Sequence, residues 1–198
     1  KYGKKVIKHI QTIEVNNLDF VLDKRVILKN FSYKFRRGNI YGITGENGAG
    51  KSTLMNIITG MYWIPEAPIF INGVPIVKCD LGKMRRTSYG ILEQEPILLE
   101  ESIKDNMFLG GEDKSGSQKF IDITKLLGLD VFLKKLPNGL ETIINENAMN
   151  LSGGEKQKLS LLRILLKDSE VLILDEPASA LDTDSREQLY NYLNTIKR

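Results

Sequence analysis

Apolar positions alternate in short runs at the start of the chain and later take up helical spacing, with glycines at the changeovers. Residues 12–15 and 26–35 read as strands broken by polar turns, and 40–44 is a compact, mostly apolar strand that runs into a glycine-rich loop. Across 51–59 the pattern turns helical: Leu54, Ile57 and Ile58 recur at i, i+3 and i+4, and Gly60 stands where the helix should stop. Residues 69–72 with Gly73 give a strand and turn, and 88–92 is a further strand leading into Gln94, Glu95 and Pro96. From about 97 to 150 strand alternation disappears, and short helical stretches such as 118–127 and 131–136 are joined by loops bearing Gly and Asn, the pattern of a helical insertion. Ser152 with Glu155 is a capping-box start for a helix whose apolar residues include Leu159, Leu162, Ile164 and Leu166. Residues 171–174 form a continuous apolar run of the buried-strand type. After Ser185, Leu189, Leu193 and Ile196 fall at i, i+4 and i+7, an amphipathic helix suited to packing on a sheet.

Composition narrows the class without naming a function. The 198 residues are 41% hydrophobic and 27% charged, enough for one compact unit with a sizeable core and room for a smaller lobe. The net charge of +3 is too small to argue for a nucleic-acid partner. Cys79 is the only cysteine, so no internal disulfide can form, and a reducing, cytosolic setting fits better than a secreted one. The apolar runs at 159–166 and 171–174 fall far short of the ~20 residues that cross a bilayer. The basic opening, residues 1–8, has no apolar signal-peptide core behind it.

Three segments carry candidate chemistry. Gly45-Glu46-Asn47-Gly48-Ala49-Gly50-Lys51-Ser52 fits G-x-x-x-x-G-K-[ST], after an expected strand and at the opening of an expected helix, with Thr53 following. Glycines there let backbone N–H groups point at phosphates, and the positive end of the helix adds to them. In that role Lys51 reaches the β- and γ-phosphates and the Ser52 hydroxyl ligates Mg²⁺. The 171–174 strand ends in Asp175-Glu176, where an open α/β sheet presents groups to a ligand. Asp175 suits the Mg²⁺ shell, and Glu176 suits a general base that polarises the attacking water. Without the phosphate loop the same pair would read equally well as a solvated acidic turn. Leu151-Ser152-Gly153-Gly154-Glu155 puts a serine and two glycines at a second helix N-terminus, a second anion site far along the chain, or else an ordinary capping box with a glycine-rich entry. One nucleotide has no need of two cradles. The simplest reading gives the second cradle to the γ-phosphate of an ATP bound by another copy.

Taken together, the phosphate loop, Gln94, Leu151 to Gln157, Asp175-Glu176-Pro177 and Ser179 to Asp182 resemble the nucleotide-binding domain of ABC transporters across almost the whole chain. That resemblance implies an α/β P-loop NTPase of ABC type: a mainly parallel core sheet, an antiparallel β lobe and a helical subdomain at about 97–167, all within a single domain spanning 1–198. It makes Gln94 the loop glutamine that touches Mg²⁺ or the water, adds Ser152, Gly153 and Gly154 as ATP contacts, and places Asp182 in a loop that meets the second domain. The stretch 136–151, including Glu146, is similar to the segment that precedes this motif in exporters whose membrane helices share the polypeptide. For Glu146 an exposed loop carboxylate is the plainer alternative. Three departures stand out. Leu22, with Phe20 nearby, occupies the position of the aromatic that stacks on adenine. Glu155 replaces a common glutamine, and the family's γ-phosphate histidine would lie beyond Arg198, since the one histidine here is His9.

The resemblance therefore implies ATP and Mg²⁺ as cofactors and ATP hydrolysis by a pair of such domains, identical or not. It further implies transmembrane domains fused in a longer parent chain, a place on the cytoplasmic face of the cell membrane, transport in the export direction, and no nucleic-acid partner. The chain would then be a piece lacking the histidine region and hydrolysing weakly by itself. The competing readings are a soluble ABC ATPase acting on nucleic acid or ribosomes, a P-loop kinase with an acceptor pocket in place of the second cradle, and an ATP-binding member of an asymmetric pair that does not hydrolyse.

Overall fold

In the computed structural model the described residues are 3–65, 67–109, 111–148 and 150–197; Lys1 of the basic opening and Arg198 lie outside them. The chain divides into two compact units. The first holds residues 1–89, 169–173 and 196–198, and the second 90–168 and 174–195.

Unit one is built on a hairpin. Strand β1 (Thr12–Leu22) pairs antiparallel with β2 (Arg25–Arg36) through the two-residue turn Asp23-Lys24, both at positive φ (49° and 64°). That is the turn chemistry whose twist matches paired strands. The alternation across 12–15 understated β1, which continues to Leu22 through register shifts beyond Val15. Bulges of this kind break the period-2 pattern that a sequence reading depends on. Strand β3 (Ile69–Ile71) pairs with the other edge of β1, setting Ile13 opposite Ile71 and Val15 opposite Ile69, all four buried. Asn72-Gly73 then turns the chain into β4 (Val74–Pro75), and the sheet order is β2-β1-β3-β4. Helix α1 (Lys51–Ile58) buries Leu54, Ile57 and Ile58, each worth about 1.5–3 kcal/mol of transfer free energy. Helix α2 (Leu81–Thr87) is capped by Asp80, which accepts from the Lys83 N–H, and it buries Leu81 and Met84.

Strand β5 (Tyr89–Leu92) pairs with β6 (Val171–Leu174). The amides of Glu170 and Val171 donate to the Ser88 carbonyl, and the Asp175 amide donates to Leu92, so both strands run in one direction. Two expectations are corrected at this point. Every residue of β6 is half-buried rather than buried, because β5 is its sole ladder partner among the described residues. Residues 40–44 make no ladder among the described residues, and Ile40 and Ile43 are exposed. Tyr41 instead lies edge-on to Tyr33 and Phe35 of β2, and its hydroxyl accepts from the Arg36 N–H.

Unit two is mostly helical: α3 (Ile103–Phe108), α4 (Gln118–Leu126), α5 (Leu129–Lys135), α6 (Gly153–Leu166) and α7 (Thr183–Ile196). Ser102 and Ser117 cap α3 and α4 with their side-chain oxygens. Helix α6 packs against α3, α4 and α5, and it buries Leu159, Leu161, Leu162 and Leu165.

Candidate functional site

In unit one the phosphate loop follows from its glycines. Gly48 (φ 82°) and Gly50 (φ 88°) take left-handed backbone that other residues reach only at a cost. Gly50 is the residue before α1, and no side chain caps that helix, so its positive end is left to an anion. Lys51 arches back over the loop, with Nζ donating to the carbonyls of Gly45 and Glu46 at 2.9 Å each. Asn47, Gly48 and Ala49 lie exposed along the same turn, while Ser52 and Thr53 open α1. This fits a phosphate group: an ammonium poised over a turn of amides can exchange two carbonyls for phosphate oxygens. Leu22 ends β1, half-buried and opposite Arg25. Phe20 stacks at a tilt on Tyr62, ring centroids 5.4 Å apart, a partner that sequence reasoning had not considered.

Unit two gathers the remaining candidates. The hydrogen bond from the Asp175 amide to Leu92 aligns the ends of β5 and β6, so Gln94 and Asp175 leave neighbouring strand ends. Glu176 comes next, at φ 46°, a left-handed conformation uncommon outside glycine. That conformation is braced by Gln157 of α6, whose Nε2 donates to the Glu176 carbonyl at 3.0 Å and to Ser179 Oγ at 2.6 Å. Ser152 and Glu155 form the expected capping box: the Ser152 N–H and Oγ–H donate to Glu155 Oε2, and the Glu155 N–H donates to Ser152 Oγ. An added Cβ on Gly153 would meet nothing within 4 Å, so the entry to α6 is open where a ligand could approach. Asp182 starts α7 by accepting from the N–H and hydroxyl of Ser185, and these bonds hold its carboxyl below the usual value. Glu146 lies exposed in a 3-10 turn.

Each unit offers oxygen donors of the kind Mg²⁺ takes: unit one the Ser52 hydroxyl, and unit two the Gln94 amide and the Asp175 carboxylate. No group of three or more His, Cys, Asp or Glu able to hold a metal occurs among the described residues. A single carboxylate suits Mg²⁺, which takes its remaining ligands from water and substrate phosphates.

The bracing role of Gln157 had no signal in the sequence beyond its place in the 151–157 motif, because a brace is defined by what lies across the fold. A family model described as ABC transporter matches residues 28–179. The chain belongs to that family. This ABC domain is thus an α/β P-loop NTPase and an ATPase domain. It is 34% identical over 188 residues to the ATP-dependent lipid A-core flippase of Haemophilus influenzae, covering 94% of this chain and 32% of that protein. It is 35% identical over 187 residues to ABC transporter B family member 21 of Arabidopsis thaliana, covering 93% of this chain and 14% of that one. A solved bacterial Atm1-family ABC exporter with ATP bound superposes with a TM-score of 0.85 at 28% identity, over 98% of this chain and 34% of that one. The chain therefore spans about a third of the length of the flippases that it matches. No helix among the described residues is long and apolar enough to cross a membrane.

Proposed function

We propose that two copies of this domain, or this domain and a related one, close around two ATP molecules, each held between the phosphate loop of one domain and Ser152, Gly153 and Gly154 of the other. Closure and reopening then power export through membrane segments carried on the same longer polypeptide, with the domain on the cytoplasmic side. The observation that carries this reading is the uncapped helix N-terminus behind Gly50, left for an anion in a phosphate loop, in an ABC domain that also carries the open glycine entry at Gly153. Relatives named as flippase and exporter support the direction of transport.

Lys51 leaves the Gly45 and Glu46 carbonyls for the β- and γ-phosphates, where its charge offsets that of the leaving group. Ser52, Asp175 and Gln94 are the residues that would hold Mg²⁺, which supplies charge neutralisation between the phosphates. Glu176 accepts the proton of the attacking water, and Gln157 braces the backbone from which that side chain extends. Leu22 offers the base an apolar contact rather than a stacking face.

The test is Glu176→Gln in the full-length protein. A general base contributes about 10²–10⁴-fold, so turnover should fall at least ~100-fold while ATP still drives dimers. Unchanged turnover would remove Glu176 from the base role.

A further inference from the structure

We infer that Arg163 is a positioning residue for the loop that carries Gln94, tying that loop to the helix that opens with Ser152. The inference rests on the roles given above to Gln94 and to Ser152, Gly153 and Gly154.

Arg163 lies toward the far end of α6, and its Nη2 donates to the Ile97 carbonyl at 2.9 Å. It makes no ion pair among the described residues, and burial pulls its guanidinium below the ordinary value. A charge-assisted hydrogen bond from a half-buried guanidinium to a loop carbonyl ties that loop to α6, and a planar donor fixes its direction. Pro96 stiffens the short path back to Gln94, because it fixes its own φ and restricts the residue before it. A displacement of the Ile97 carbonyl is thus passed to Gln94 rather than absorbed between them.

A half-open pocket of about 110 Å³ is lined by Leu92, Glu93, Pro96, Ile97, Ser160 and Arg163 among others, so the loop and α6 share its walls. Ser160 Oγ is buried and has no hydrogen-bond partner among the described residues. The same helix braces Glu176 through Gln157. Helix α6 rises 1.5 Å per residue, so Arg163 acts about 16 Å along the axis from Ser152. A γ-phosphate engaged at the start of α6 would be felt at Gln94 through that one rigid element.

The test uses the full-length protein, with Arg163→Met keeping the apolar stem and removing the donors, and Arg163→Lys keeping the charge. Loss of a charge-assisted hydrogen bond predicts that Arg163→Met lowers kcat about tenfold, with the Kd for a non-hydrolysable ATP analogue within about twofold of the parent's. Arg163→Lys should recover part of the loss. In a Gln94→Ala background Arg163→Met should cost less than about twofold further, as expected for residues acting as one unit. Unchanged kcat, a parallel loss of kcat and nucleotide affinity, or a full tenfold loss on top of Gln94→Ala would overturn the role of Arg163 while leaving Gln94 in place. Normal turnover in Gln94→Ala alone would remove the role of Gln94, and Arg163 would fall with it.

Discussion

Replacing Gly50 by alanine is expected to be one of the costlier single-methyl additions in unit one, and Gly48→Ala provides the control. Both glycines sit at left-handed φ, 88° and 82°, so each alanine meets the same backbone penalty of roughly 1–2 kcal/mol. Each also regains about 0.4–1 kcal/mol because alanine restricts the unfolded chain. The net cost from backbone alone is then about 0–1.5 kcal/mol for either variant. The surroundings separate them. A Cβ on Gly48 would meet nothing within 4 Å, whereas on Gly50 it would lie 3.0 Å from both Ile27 Cγ2 and the Ile27 carbonyl oxygen and 3.1 Å from Leu28 Cδ2. One of those atoms belongs to the backbone of β2 and cannot swing aside, so the overpacking cost of about 1–3 kcal/mol falls on Gly50→Ala alone. At about 2–4 °C per kcal/mol for a chain of this size, Gly50→Ala should melt at least ~2 °C below Gly48→Ala, and up to ~12 °C below it. Thermal melts of the two variants side by side measure the difference. Because Gly50 also sets the entry to α1, nucleotide binding should weaken more in Gly50→Ala. Equal melting temperatures would refute the packing of the phosphate loop against β2.

Two further outcomes can be checked by stability and pH. Ser152→Ala removes the oxygen that accepts from the Glu155 N–H and should lower stability by about 1 kcal/mol; a melt indistinguishable from the parent's would show that the capping box contributes nothing. Burial alone would raise the Glu170 carboxyl, but hydrogen bonds from Arg37 and the Ile10 N–H, with the charges of Arg37 and His9, hold it below the usual carboxylate value. Its folded pKa is depressed, so its stabilisation is present at neutral pH and is lost as pH falls through that lowered pKa. The gap in melting temperature between the parent and Glu170→Gln should therefore be widest near neutral pH and narrow on acidification; a constant gap would show that the charge of Glu170 is not what stabilises unit one.

The parts of the protein that local rules specify were legible in the sequence. Gly50 and Lys51 open a helix because left-handed backbone and a bare helix terminus are properties of those few residues. Ser152 and Glu155 close their capping box with each other, needing nothing from elsewhere. The acidic tip Asp175-Glu176 follows an apolar run that is a strand.

What failed from sequence alone depended on which neighbours each segment meets once folded. Residues 40–44 form a compact, mostly apolar run, yet a strand is completed by ladder bonds from a neighbour, and Tyr41 is held instead by the aromatic face of β2. The apolar run 171–174 promised full burial, but coverage is decided by how many strands flank it. Nothing in the sequence pointed Gln157 or Arg163 at a particular partner, and only the fold set the Glu176 and Ile97 carbonyls beside them. Sequence determined the chemistry that each segment can offer, because backbone conformation and capping are settled within a few residues. Tertiary structure decided which groups brace that chemistry, because burial and hydrogen bonding between remote segments exist only once the chain has folded.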